Sequence, residues 1–177
     1  MKKEIQNLID IEIDKLTNSI ENSFTGEVFD TEIIQLTTRD LKHINKADWQ
    51  FDWHKETRDK TKTIFRLNTI NNPDIIQGLL SIEDKSDHIF MHLIESAKFN
   101  RGKNKVYFGV PANLVAFACK ISFEKGYDGF IAFDSKSALI KHYEESLGAT
   151  HFRGLRMFIE IDAAIKLVNR YFKNKTI

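Results

Sequence analysis

The chain has 177 residues, of which 42% are hydrophobic, and it carries 26 lysine and arginine residues against 25 aspartate and glutamate residues. This length and apolar content predict one globular domain over residues 1–177, and the near balance of charge argues against nucleic acid as a partner. The one cysteine, Cys119, excludes a disulfide framework. No secretion signal or membrane-length apolar run is visible, which predicts a cytoplasmic protein that does not bind a membrane.

The N-terminal stretch is predicted to be an amphipathic helix over residues 4–21, because apolar side chains recur there at helical spacing. They are Ile5, Leu8, Ile9, Ile13, Leu16 and Ile20. The apolar face of this helix is expected to cover the protein's own sheet. The alternative is a second subunit, which would give a homodimer through residues 1–22. A first strand at residues 28–37 and a short helical turn capped by Thr38 follow.

Both tryptophans, Trp49 and Trp53, lie in a stretch of weak periodicity together with Asp52. Aromatic side chains in a polar loop indicate a lid or a wall of a substrate site. The alternative interpretation is that the two indoles anchor an irregular segment to the core.

Three strand-like runs come next, at residues 62–70, 74–84 and 88–97. The short connections between them predict an antiparallel meander. A polar loop then leads through Gly109 into a helix that is apolar nearly all round and stops at Gly126. Free N–H groups at the start of such a helix bind anions, and Lys103 and Lys105 lie just before it.

The apolar run after this helix predicts a buried strand parallel to the third run of the meander. A helix over residues 134–149, capped by Asp134 or Ser135, is expected next, followed by a hairpin about Gly154 and a closing helix from Asp162. The predicted class is therefore α/β, with a mixed, mostly antiparallel central sheet flanked by helices.

This order of elements resembles the GNAT superfamily of acyl-CoA-dependent N-acyltransferases over residues 60–162. In that family a glycine-containing loop before a helix binds the pyrophosphate of coenzyme A. The similar stretch here runs from Val106 to Ala112 and retains Gly109. Tyr143 and Gly148 resemble a second family motif, with one residue inserted between them. The resemblance implies transfer of an acetyl group from acetyl-CoA to an amine, of a small molecule or a peptide, by direct attack.

The resemblance also implies which residues form the site. The cofactor-binding set comprises Ile94, Ser96, Lys105, Gly109, Val110, Ala112, Asn113 and Ser135. Tyr143 would protonate the departing thiolate, and an N–H near Ile94 would polarise the carbonyl.

The third run of the meander offers His92 and Glu95 as candidates for the base, although proximity alone can carry much of such a reaction. Two-residue alternation predicts that His92 shares a face with Ile94, whereas Glu95 points the other way unless a bulge intervenes. The six histidines show no short ligand spacing, so no metal site is predicted.

A second hypothesis follows from the departures from the family pattern. Val106 replaces the usual glutamine or arginine of the phosphate loop, and Pro111 replaces its second small residue and removes one N–H. These changes favour a non-catalytic GNAT-fold binding or regulatory module. In that case Tyr143 is a core tyrosine and His92 a satisfied histidine on a half-buried sheet.

Overall fold

The computed structural model describes residues 8–17 and 19–172. Its strands are β1 (Ile20–Asn22), β2 (Val28–Phe29), β3 (Thr31–Gln35), β4 (Thr63–Thr69), β5 (Gly78–Asp84), β6 (Ile89–Ser96), β7 (Tyr107–Phe108), β8 (Ile131–Asp134), β9 (Thr150–Arg153) and β10 (Arg156–Ile159). Its α-helices are α1 (Trp53–Arg58), α2 (Val110–Glu124), α3 (Ile140–Leu147) and α4 (Ile161–Phe172). Single 3-10 turns lie at Asp40–His43, Lys46–Asp48, Lys98–Asn100 and Ser137–Leu139.

The central sheet has seven strands in the order β3-β4-β5-β6-β8-β10-β9. Strands β4, β5 and β6 pair antiparallel, which confirms the predicted meander. Strand β8 returns parallel to β6 after α2, as predicted from the crossover. Strands β10 and β9 then form the antiparallel hairpin about Gly154, whose φ is 58°. The predicted mixed sheet flanked by helices is confirmed.

Helices cover both faces of this sheet. The larger core lies on the α2 side, where Leu114, Val115 and Ala118 pack with Tyr143 and Leu167. The smaller core lies on the α1 side around Trp53, Ile64, Leu79 and Leu93. Within the described ranges, no helix is long and apolar enough to cross a membrane.

The prediction of an N-terminal helix is wrong for the described residues. Residues 8–17 are not helical, and β1 begins at Ile20. The apolar positions of this stretch fit period two as well as period 3.6, since Ile9, Ile11 and Ile13 alternate with acids. The extended form prevails because the sheet offers unpaired backbone groups to this segment, as described below. Residues 4–7, where the predicted helix begins, and Asn18 lie outside the described residues.

Two predicted helix caps are also wrong. Thr38 does not cap the turn at Asp40–His43; instead Thr37 donates its N–H to the Asp40 carboxylate, at 2.8 Å. Asp134 and Ser135 do not cap α3, because Asp134 ends β8 and binds the Arg156 guanidinium at 2.6 Å. A 3-10 turn separates both residues from the first residue of α3.

Candidate functional site

Strands β6 and β8 separate from each other partway along their length. They are in register only at Ile89 with Ile131 and at Phe90 with Ala132. A bulge follows on β6, since Ile82 pairs with Met91 and Ser81 with Leu93, so that His92 has no partner on β5. Among the described residues, no pairs of β6 and β8 are in register beyond Phe90 and Ala132, and a groove lies between the two strands there.

The N-terminal segment, defined as residues 8–17, fills this groove. Ile9 donates its N–H to the Asp134 carbonyl at 2.7 Å, and its own carbonyl accepts from Lys136 N–H at 3.1 Å. At the other end of β8, Ile89 of β6 donates its N–H to the carbonyl of Phe130, the residue just before β8, at 3.3 Å. Backbone carbonyls an even number of residues apart on a strand point to the same edge. The segment therefore takes the edge of β8 that β6 leaves.

The hydroxyl of Tyr143 meets the middle of this segment. It donates to the Ile11 carbonyl at 2.5 Å and accepts from Ile11 N–H at 3.1 Å. The ring is buried from α3 and makes an edge contact with Phe133, with centroids 5.6 Å apart. Burial raises the pKa of the Tyr143 phenol, so the group remains protonated at neutral pH. The neighbouring His142 accepts from Ile13 N–H at 2.8 Å.

The last acid of the segment lies at the N-terminus of α2. One carboxylate oxygen of Asp14 accepts from Gly109 N–H at 3.1 Å, and the other binds Lys105 Nζ at 3.0 Å. Gly109 has a φ of 93°, and a Cβ there would lie 2.1 Å from Thr17 Oγ1. Glycine is therefore required both by the backbone angle and by the close approach of the segment. An anion already binds where the sequence predicts one, but it is a side chain of the same protein.

A cavity of about 420 Å³ remains between the segment and the C-terminal end of β6. Its polar lining consists of Asp10, Glu12, Ser96, Asn100, Arg101, Lys103 and Lys105. The hydroxyl of Ser96 is buried and has no hydrogen-bond partner within the described part of the chain. Such an unsatisfied buried donor is costly, and it suits a site that takes a polar ligand.

The opposite face of β6 carries the histidine of the bulge. His92 Nε2 lies 2.8 Å from a Glu83 oxygen, and Lys85 binds the other oxygen at 2.9 Å. Burial lowers the pKa of His92, against a raising effect of the Glu83 hydrogen bond. Burial also acts to raise the pKa of Glu83, but the bonds from Lys85 and His92 hold it below its usual value. The imidazole is therefore neutral near pH 7.

Glu95 lies on the same face and is engaged by the stretch that holds the tryptophans. Its carboxylate accepts from Gln50 N–H at 2.7 Å, from Phe51 N–H at 3.1 Å and from Trp53 Nε1 at 2.9 Å. Arg101 adds an ion pair at 3.5 Å. The indole of Trp53 is buried in the smaller core. Glu95 thus fixes the irregular stretch against the sheet.

Solved structures with a similar fold include N-acetyltransferases. The ribosomal-protein-S18-alanine N-acetyltransferase from Escherichia coli is 18% identical with a TM-score of 0.52, over 74% of this chain and 94% of that chain. A tyrosine-to-phenylalanine mutant of the AtaT toxin, bound to the C-terminus of the antitoxin AtaR and acetyl-CoA, is 15% identical with a TM-score of 0.54, over 78% and 98%. A chimera of spermidine N-acetyltransferase SpeG from Vibrio cholerae and hSSAT is 16% identical with a TM-score of 0.51, over 77% and 98%.

The protein has the GNAT fold. No protein-family model and no curated protein matches the sequence significantly. The likeness to the solved structures is one of fold, since fewer than one residue in five is identical.

The GNAT fold brings only part of the predicted cofactor set to the groove. Gly109, Lys105 and Ser96 surround the cavity or bind Asp14. The side chain of Asn113 instead donates to Thr31 Oγ1 at 3.1 Å. Ser135 lies in the groove opposite Ile9, but its side chain donates to the Lys136 carbonyl at 2.8 Å. The remaining predicted residues are buried in the larger core; they are Ile94, Val110 and Ala112. Within residues 8–17 and 19–172, no group of three His, Cys, Asp or Glu side chains is placed to hold a metal ion.

The bulge decides which residues of β6 share a face. The prediction that His92 and Ile94 share a face is wrong, because the bulge turns His92 toward Glu83 while Ile94 packs in the larger core. The groove-facing residues Ile11 and Asp14 were not predicted at all. The strict alternation of isoleucine and acid over residues 9–14 was the signal for an extended segment.

Proposed function

We propose that the protein is an acyl-CoA-dependent N-acyltransferase that transfers an acetyl group to an amine by direct attack. The observation that carries this proposal is the groove between β6 and β8. The N-terminus of α2 and the Tyr143 hydroxyl both contact the N-terminal segment that lies in this groove. The GNAT neighbours are N-acetyltransferases, and one of them is bound to acetyl-CoA, which supports the same donor here.

The anion end of the groove fits the phosphates of coenzyme A. Gly109 N–H and Lys105 Nζ together bind one carboxylate, and phosphate at a helix N-terminus is bound by the same groups. The unpartnered Ser96 hydroxyl is a further donor at the wall of the adjoining cavity. Acyl-CoA supplies the activated thioester, and the residues of this chain bind it, orient it and move protons.

Tyr143 and His92 each carry out one of the two proton transfers. Tyr143 remains protonated and donates a proton to the departing thiolate once its bond to the Ile11 carbonyl is released. His92 is neutral and accepts the proton of the attacking amine, with Glu83 orienting its ring. Glu95, whose carboxylate is already fully engaged, serves to hold residues 50–53 as a wall on the acceptor side.

The decisive experiment is native mass spectrometry of the purified protein for bound coenzyme A, followed by thermal unfolding with added acetyl-CoA. We expect a mass increase or an upward shift of Tm, because a ligand that binds only the folded state stabilises it. Release of free thiol would then be measured with amine acceptors suggested by the neighbours, such as spermidine and an alanine-terminated peptide. No binding of any acyl-CoA would contradict the proposal.

A non-catalytic binding or regulatory module is the second candidate, because two observations favour it. Asp14 holds the phosphate-binding groups, and Pro111 has no N–H to offer a phosphate. Such a module shows no thiol release with any amine even where acetyl-CoA raises Tm. Measured turnover excludes it.

We further propose that residues 1–177 form one cytoplasmic domain whose acceptor is a small-molecule or peptide amine. The homodimer through an N-terminal helix loses its basis for the described residues. Ile9 and Ile13, which were to form the apolar face of that helix, are buried against the protein's own core. A homodimer would therefore use another surface, and mass measurement in solution tests whether one forms.

A further inference from the structure

We propose that the N-terminal segment is a displaceable internal ligand of the donor groove, and that Asp14 must leave the N-terminus of α2 before an acyl-CoA phosphate binds there. This inference rests on the proposed function, because it names what competes with the donor. It assigns a regulatory role to residues 8–17, which lie before the first strand of the fold.

The segment occupies two kinds of binding group that the groove offers a ligand, a strand edge and an anion site. Its backbone at Ile9 hydrogen-bonds with Asp134 and Lys136, on the edge of β8 that β6 has left. Its Asp14 carboxylate binds Gly109 N–H and Lys105 Nζ as an anion. A ligand that uses both the strand edge and the anion site cannot bind while the segment is in place.

Charge complementarity holds the segment where it lies. Asp10 binds Lys136 at 2.5 Å, and Asp14 binds Lys105 at 3.0 Å. Glu12 lines the same cavity as Lys103 without an ion pair among the described residues. A polyanion such as a nucleotide phosphate therefore competes with these acids for the same cations.

The segment is held by single hydrogen bonds and by burial of Ile9 and Ile13 in the larger core, and not by a strand ladder. Pairing with β8 is limited to one isolated bridge, between Ile9 and Ser135. The unpartnered Ser96 hydroxyl beside the segment shows that the closed groove leaves a buried polar group unsatisfied. A ligand that satisfies this hydroxyl gains an interaction that the segment does not make.

A reversible disulfide between the segment and the end of β8 tests displacement directly. Asp10 and Lys136 follow the bridged pair by one residue and their side chains are in contact, so Asp10→Cys with Lys136→Cys is placed for a bridge. The native Cys119 does not interfere, because it is buried and burial raises its pKa. Acetyl-CoA is the probe, since its sulfur is acylated and does not exchange with the disulfide.

We expect the oxidised double variant to bind acetyl-CoA at least about 100-fold more weakly than the same protein after reduction by a phosphine. A second variant, Asp14→Asn, removes the competing charge and should bind acetyl-CoA about tenfold more tightly than the native chain. Glu12→Gln is its matched control. It makes the same change of net charge two residues away in the same segment without touching Gly109, and its affinity should stay within about threefold.

The outcomes separate the two proposals. Equal binding by the oxidised and reduced forms overturns the internal ligand and leaves the acyltransferase proposal standing. If neither the reduced protein nor Asp14→Asn binds acetyl-CoA, the acyltransferase proposal fails. Displacement of the segment is then tested by the rate of trypsin cleavage after Lys15 in the native chain, with and without inorganic pyrophosphate. Faster cleavage with pyrophosphate supports displacement, and an unchanged rate refutes it.

Discussion

Strand β8 has two parallel partners on one edge, and they are held in very different ways. Strand β6 pairs with β8 at Ile89 and Phe90 and with β5 at every residue except His92. The N-terminal segment pairs with β8 at Ile9 alone, and no strand is paired to its other edge in the described part of the chain. The difference teaches that β8 has a permanent partner, β6, and an exchangeable partner, the N-terminal segment, on the same edge.

The strongest test of the permanent side is Glu95→Ala. This change removes the charged acceptor of the Gln50, Phe51 and Trp53 N–H groups, of which the Trp53 indole N–H is buried, and a hydrogen bond to a charged group contributes about 1.5–3 kcal/mol. We expect a loss of at least about 3 kcal/mol of unfolding free energy, measured in urea by tryptophan emission. Glu95→Gln keeps one acceptor oxygen and should lose less. A loss equal to that of Glu95→Gln would contradict the wall role.

Tyr143→Phe tests the residue that touches both the segment and the proposed chemistry. Transfer should slow by about 100-fold, because the thiolate loses its proton donor. Affinity for acetyl-CoA should hold or rise, because the segment loses both hydrogen bonds at Ile11. Tyr171→Phe is the control, since it removes only the bond that Thr17 N–H donates to the phenol. Equal rates in the two variants would exclude Tyr143 as the acid.

The pH profile of activity tests the proposed role of His92, on β6, as the base. Because burial lowers the pKa of His92 below its ordinary 6.5, activity should be full at neutral pH and fall only in a limb below 6.5. The contribution of His92 to the free energy of unfolding has the same pH dependence: it is fully present above pH 6.5 and is lost as the pH falls through the lowered pKa. Glu83→Gln removes an interaction that raises this pKa, so the limb should move to lower pH. An unmoved limb would assign the titration to another group.

The smallest effect is expected from Arg170, which anchors the C-terminal end of the N-terminal segment. Arg170 on α4 donates to the carbonyls of Leu16 and Thr17, at the end of the segment. Arg170→Ala should tighten acetyl-CoA binding by up to about tenfold, because hydrogen bonds to a charged group contribute about 1.5 kcal/mol. Lys166→Ala on the same helix serves as the control. Weaker binding by Arg170→Ala would count against release of the segment.

The sequence predicted the permanent part of the molecule well. Strand-like runs separated by turn signals located β4, β5 and β6, and the apolar run closed by Gly126 located α2, because local pattern and tertiary role agree there. Tyr143 was named as a site residue through the family resemblance. The bulge at His92 could not be predicted, since it follows from how β5 and β6 pair and not from the residue types along β6.

The exchangeable part was the part that sequence reasoning missed. Ile9 and Ile13 suit either a helix or a strand, and the choice depends on the open edge of β8, which is more than 100 residues away along the chain. The role of Asp14 depends in turn on the position of Gly109, which is fixed only in the folded sheet. Long-range backbone pairing decided both, and no local propensity encodes it.

The parting of β6 and β8 has a consequence for the behaviour of the protein at high concentration. An emptied groove exposes unpaired N–H and C=O groups on two strands, and such edges recruit strands from other chains into aggregates. The N-terminal segment shields these edges in every molecule that has no donor bound. Variants that release it should therefore be the first to precipitate during storage, and a saturating donor should keep them in solution.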